Sequence, residues 1–215
     1  MEKWTAEDVK EFFRRMAAAM AENKDTLIRL DAAVGDGDLG LTMSQGFAQA
    51  AEKVAAAAET DIGRLIALGG STLAQAAPST MGTLLASGLM RGGKALQAKS
   101  EVNLDDVAAL FAAIVDGIAA RGKAKAGDKT VIDSLQPAAE ALKAAAELQK
   151  PLAIACQAAY AAAVAGLEAT KGMVPQHGRA AYYQDKAAGL PDPGATVGML
   201  IVKSLADMCG QQAGR

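Results

Sequence analysis

Aromatic residues make up only 4% of this 215-residue chain, which carries two cysteines and a single histidine. With so few rings, the hydrophobic fraction of 51% is drawn largely from alanine. That mixture suits closely packed helices and is poor for β-sandwiches. Cys156 and Cys209 lie in Ala-rich surroundings without metal-ligand spacing, which argues against a disulfide framework or a zinc site and leaves them as buried thiols. The formal charge is -2 and no long basic stretch occurs, so the electrostatic footprint of a nucleic-acid binder is missing. The N-terminal MEKWTAEDVKEFFRRM lacks an apolar run of signal-peptide length, and no window approaches the roughly 20 uninterrupted apolar residues of a membrane span. A soluble, cytoplasmic protein is expected, with neither nucleic acid nor a membrane as partner. Its length is right for one compact domain over residues 1–215, burying about 70% of the surface of the unfolded chain.

Thr5 followed by Asp8 forms a helix-start signal, and Val9, Phe12, Phe13, Met16 and Met20 then recur at helical spacing toward Leu27 and Leu30. One long first helix is predicted there. Further helical stretches are predicted over 39–58, 62–77, 83–98, 104–120, 131–148, 152–169 and 195–208. Val, Ile, Thr and aromatic residues never alternate with polar ones over strand length. Short connections imply antiparallel neighbours, so the expected fold is all-α: an eight-helix up-and-down bundle or closed antiparallel barrel.

Four segments interrupt the Ala-rich helices: DAAVGDGDLG from Asp31, APSTMG from Ala77, RGKAKAGDKT from Arg121, and KGMVPQHGRAAYYQDKAAGLPDPGA from Lys171. Gly and Pro mixed with charges mark loops, and loops held by a rigid scaffold are where binding concentrates. If successive helices alternate in direction, all four fall at one end of the bundle.

Asp31, Asp36 and Asp38 lie within eight residues and have no lysine or arginine between them. Such carboxylates repel one another unless a cation sits among them, and oxygen-only ligation by few carboxylates suits magnesium, which completes its octahedron with water and phosphate oxygens. The plain alternative is a solvated acidic loop with an aspartate capping the next helix. An EF-hand does not fit: counting from Asp36, the sixth position is Leu41 instead of glycine and the twelfth is Phe47 instead of glutamate.

Pro78 to Gly82 puts small residues and the hydroxyls of Ser79 and Thr80 just before a helix, a place that suits a phosphate or, more plainly, an N-cap. GKAKAGDKT from Gly122 resembles a Walker A loop with one residue too many, and the segment before it is helical in pattern instead of a strand, so a P-loop is rejected. Lys123, Lys125 and Lys129 either supply cations near phosphates or form a solvated basic loop. The segment from Lys171 to Pro193 exceeds 20 residues, a length that usually means a lid, a binding loop or disorder. Arg179 within it either forks onto phosphate oxygens or is an exposed loop arginine. His177 has no nucleophile pattern that would make a hydrolase triad.

LDAAVGDGDLG, GST at Gly70, RGKAKAGDKT, GRAAYY and DPGAT, in this order, resemble the DhaL subunit of dihydroxyacetone kinases, which also occurs as the C-terminal domain of single-chain dihydroxyacetone kinases. The resemblance runs essentially end to end. It implies an eight-helix barrel whose end binds ADP or ATP through two magnesium ions on Asp31, Asp36 and Asp38. It further implies nucleotide contacts from Leu39, Gly40, Leu41, Thr42, Thr80, Met81, Gly122, Val131, Arg179, Asp192, Pro193 and Gly194, with Ser79 beside them. No residue is implied as nucleophile or base; Arg179 is the candidate stabiliser of phosphate charge. Two departures fall on the nucleotide pocket: Leu39 stands where the family usually has histidine, and PSTMGT replaces its common GGASGP. The implied reaction is phosphoryl transfer to a small ketose or triose held by a DhaK-like partner, which carries the substrate-anchoring histidine. The donor is either exchangeable ATP or bound ADP recharged by a DhaM-like phosphotransferase-system protein. Two other readings are a related kinase module with another substrate, as in fatty-acid kinases, and a nucleotide-loaded regulator of a transcription factor.

Overall fold

A computed structural model describes residues 3–212, and among these the only extended pairing is an isolated antiparallel bridge between Trp4 and Val102. The helices are α1 (Ala6–Glu22), α2 (Lys24–Val34), α3 (Leu39–Ala55), α4 (Ile62–Ala76), α5 (Thr80–Ala95), α6 (Leu104–Gly122), α7 (Ile132–Glu147), α8 (Leu152–Ala169), the single turn α9 (Gln184–Ala187) and α10 (Pro193–Gln212). Sequence neighbours pack side by side from α3 through α8, α8 packs on α10, and α10 and α3 both pack on α1. The ring α1, α3, α4, α5, α6, α7, α8, α10 therefore closes on itself, giving the expected eight-helix barrel.

The expected capping signal is present: the Thr5 N–H donates to Asp8 Oδ2 at 2.7 Å, and Val9, Phe12, Phe13, Met16 and Met20 form the buried face of α1. The long first helix is not. It breaks at Asn23, whose side-chain Nδ2 bonds the Ala19 carbonyl at 2.9 Å, a local competitor for the helical backbone. The broken-off piece, α2, lies against α3 and α10, and its C-terminal end delivers Asp31 to the loop that follows.

Close approach of α8 to α7 has a local cause. Pro137 inside α7 has no N–H, which leaves the Asp133 carbonyl without its usual helical partner. Gly166 of α8 faces that oxygen so closely that a Cβ there would overlap it. Leu152–Gly172 is also long and apolar enough, by length and composition alone, to cross a membrane. That corrects the expectation that no window approaches a span. Its apolarity comes largely from alanine, and in the barrel it packs against α7 and α10. Cys156 and Cys209 are both buried and form no disulfide.

Candidate functional site

The α2–α3 loop gathers Asp31, Asp36 and Asp38 so that one carboxylate oxygen from each lies within 4.8 Å of the others. Gly37 sits at φ +75, in the left-handed region that a side chain disfavours, and this turn brings the two flanking aspartates round to face Asp31. Asp31 Oδ2 also accepts from the Leu39 N–H at 3.2 Å, tying the end of α2 to the start of α3. The Asp38 carboxyl is held above its ordinary range, first by partial desolvation and then by the charges of Asp36 and Asp31, with Arg179 opposing. Oxygens this close, sharing a surplus of negative charge, form a donor set that fits a hard divalent cation.

Arg179 reaches this cluster from the long segment after α8, placing Nη1 2.7 Å from Asp36 Oδ2. Both partners are largely exposed, so the pair contributes little to stability, about 0–1 kcal/mol. Its value is positional: it sets a guanidinium at the mouth of an acidic cluster.

The other two loops meet at the same end. Gly194, buried in the first turn of α10, has no room for a side chain between Met81 Cε, 2.7 Å from where a Cβ would stand, and the Val131 backbone nitrogen, at 3.2 Å. This seats the α10 start between the N-terminal turn of α5 and the α6–α7 loop. Pro193 and Asp192 are buried beside it. Ser79 is the N-cap of α5, its hydroxyl accepting from the Gly82 N–H at 3.1 Å, while Thr80 is exposed on the first turn. Gly122 closes α6 with Leu84 against it. On α3, Leu41 is exposed and Thr42 bonds back to the Asp38 and Leu39 carbonyls, whereas Leu39 and Gly40 are buried and Gly40 packs against Lys24 and Ile28 of α2. The structure thus brings most of the expected site residues to one end and turns Gly40 toward the neighbouring helix.

Several polar residues of this end went unnoticed in the sequence. Asp133 accepts from the N–H groups of Gly127 at 2.6 Å and Thr130 at 2.7 Å, shaping the α6–α7 loop. Thr130 followed by Asp133 is a capping signal that could have been read. Asp128 accepts from the Lys125 N–H and from His177 Nε2 at 3.0 Å. The Lys125 N–H foremost, then the Lys125 ammonium and His177, hold its carboxyl down at about 2 against the opposing effect of burial. Lys129, expected either near phosphates or in solvent, is not in solvent. It is buried and donates to three backbone carbonyls, those of Thr170, Ala187 and Leu190.

Burial pushes the Asp192 carboxyl up to about 7, with the Asp133 charge adding and the Ala195 N–H and Lys129 opposing. A carboxyl raised in this way binds its proton more tightly folded than unfolded. Asp192 therefore costs stability as pH rises from its ordinary 3.8 toward about 7. Asp192→Asn keeps an oxygen for the Ala195 N–H and removes the charge. The variant should melt with the wild type near pH 4 and above it, by about 2–6 °C, at pH 8. Coincident melting curves at both pH values would contradict this.

A concavity of about 680 Å³ between α6 and α7 shares no residue with the aspartate cluster. The site is instead the open barrel end where the four loops meet. Residues 33–207 match the DAK2 domain. The chain belongs to the DAK2 domain family. This DAK2 domain is 33% identical over 192 residues to the ADP-binding subunit DhaL of the PEP-dependent dihydroxyacetone kinase of Escherichia coli K12, covering 89% of this chain and 91% of that one. It is also 33% identical to L-erythrulose 1-kinase of Mycolicibacterium smegmatis, covering 87% of this chain but only 33% of that enzyme. Among solved structures it resembles the dihydroxyacetone kinase of C. freundii in complex with AMP-PNP and Mg2+, with a TM-score of 0.74 and 29% identity over 93% of this chain and 33% of that one.

Proposed function

We propose that this domain is the nucleotide-holding subunit of a kinase that phosphorylates a small ketose or triose. The observation that carries the reading is the convergence of Asp31, Asp36 and Asp38 beneath Arg179, at the barrel end where the other loops also meet. The similar C. freundii kinase was solved with a nucleotide analogue and Mg2+, which supports assigning this donor set to magnesium. Asp31, Asp36 and Asp38 would hold two magnesium ions. When bound, these offset the negative charge of the nucleotide's terminal phosphates. Arg179 supplies a guanidinium that leaves Asp36 to fork onto phosphate oxygens. The α5 N-terminal turn, with Ser79, Thr80 and Met81, offers backbone N–H groups to an anion. Leu39, Gly40, Leu41 and Thr42 form the wall next to the metal loop, and Gly122, Val131, Asp192, Pro193 and Gly194 the opposite one. No residue of the site is asked to act as nucleophile or base, because phosphoryl transfer depends mainly on positioning and electrostatics.

The ketose is held elsewhere in this proposal. Longer relatives such as L-erythrulose 1-kinase match this chain over a third of their length, and a DhaK-like partner would supply the substrate-binding remainder. Likeness to a PEP-dependent subunit favours bound ADP recharged by a DhaM-like phosphotransferase-system protein over free exchange of ATP. A cytoplasmic setting follows from the nucleotide.

Calorimetry of the purified chain with ADP tests the reading. Binding is expected with magnesium and should weaken by about 100-fold in EDTA, in keeping with the loss of charge-assisted phosphate contacts. Absent binding, or binding indifferent to EDTA, would overturn it.

A further inference from the structure

We propose that Lys129 is a positioning residue that locks together the two ends of the long segment after α8 and thereby sets Arg179 over the aspartates. The inference rests on the reading of Arg179 as a phosphate ligand. Lys129 is only 4% exposed and sits at φ +59, a backbone conformation uncommon for a residue with a side chain. Its Nζ donates to the Thr170 carbonyl at 2.6 Å, the Leu190 carbonyl at 2.7 Å and the Ala187 carbonyl at 3.1 Å. An ammonium has three N–H groups, and all three are used. Lys129 makes no ion pair among the described residues; its charge is met by carbonyl dipoles together with the nearby Asp192 carboxyl, and none of its donors is left for a phosphate.

The three carbonyls are not scattered. Thr170 stands just before the segment, while Ala187 and Leu190 lie near its end, so one ammonium gathers a long excursion at its neck. Two more bonds follow the same seam: the Gly189 N–H donates to the Lys171 carbonyl at 3.2 Å, and the Asp192 N–H to Thr170 Oγ1 at 2.9 Å. The preceding residue, Asp128, holds the middle of the segment. Its carbonyl accepts from the Gln176 N–H at 3.1 Å, and its carboxylate faces His177 Nε2. Arg179 follows two residues later and reaches Asp36. Residues 128 and 129 thus grip the segment at its start, middle and end, fixing where its one arginine emerges. Unclosed, a loop of this length would have to order itself at each binding event.

The full-length chain carrying Lys129→Met, Arg179→Ala or both tests this by hydrogen exchange without nucleotide and by calorimetry with ADP and magnesium. Lys129→Met should speed exchange across 171–190 by about tenfold while the barrel helices keep wild-type rates. It should also weaken ADP binding by about tenfold, the scale of one charge-assisted contact. Added to Arg179→Ala, it should weaken binding no further, because its effect passes through that arginine. Lys129→Arg, which keeps the charge and donors, should lie nearer the wild type. Unchanged exchange in Lys129→Met, or losses that add in the double variant, would overturn the proposal. If Lys129→Met does not fold, Lys129→Gln, which is too short and has too few donors to hold all three carbonyls, is expected to speed exchange across 187–190; wild-type rates there would overturn the proposal equally. A wild-type chain that binds no ADP would overturn the nucleotide reading instead, and the exchange arm would then decide the role of Lys129 alone.

Discussion

Asp36→Asn and Asp38→Asn are expected to weaken binding of ADP with magnesium by at least about 100-fold while leaving the barrel folded. Even the outer partners of metal ligands contribute about 10–100-fold to metal affinity, and these substitutions remove ligands themselves. The two variants should part company in stability. Asp38→Asn takes one charge from a cluster whose neighbours already push the Asp38 carboxyl up, so its melting temperature should equal or slightly exceed the wild type at neutral pH. Asp36→Asn relieves the same repulsion but loses the pair with Arg179, an exposed contact of about 0–1 kcal/mol, and should stay close to the wild type. Calorimetry alongside circular dichroism reads both effects. Wild-type affinity in either variant would remove that aspartate from the metal site, and loss of helicity would mean that the loop shapes the barrel instead of a ligand.

The second large effect concerns turnover. The purified chain alone should not phosphorylate dihydroxyacetone detectably, and adding a cognate DhaK-like subunit with a phosphoryl donor should raise the rate by about a thousandfold or more, the scale that correct placement of two reactants provides. The resemblance assigns the substrate-anchoring histidine to that partner. Here the sole histidine, His177, is engaged with Asp128. Supplying ATP in one reaction, and phosphoenolpyruvate with the phosphotransferase proteins in another, distinguishes the two donor schemes. Efficient ketose phosphorylation by the isolated chain would contradict the two-subunit reading.

The parts of this account legible in the sequence were those governed by local chemistry. Three aspartates within eight residues and no basic residue between them mark a carboxylate cluster whatever the surrounding fold, and alanine-rich amphipathic stretches with short connections restrict the chain to antiparallel helices. The alternation of helix direction was enough to bring four loops to one end. Tertiary placement was not legible. Nothing in GKAKAGDKT separates a lysine that points to solvent from one whose stem runs inward to three carbonyls contributed from 41 to 61 residues away. The same holds for Asp192, whose raised carboxyl comes from burial created by the loop packed over it. At Asn23 the misreading was local: an apolar pattern continuing through to Leu27 concealed a side chain able to compete for the Ala19 carbonyl. Nor was the close approach of Gly40 to α2 legible, because the sequence did not reveal that helix as a separate element.

The most direct test of the central claim is a crystal of the chain grown with ADP and manganese in place of magnesium, read by anomalous scattering. The account predicts manganese peaks among the carboxylates of Asp31, Asp36 and Asp38, with the ADP phosphates on the far side of the ions and the Arg179 guanidinium turned toward them. Manganese bound elsewhere, or ADP lodged in the α6–α7 concavity with the three aspartates free of metal, would contradict it.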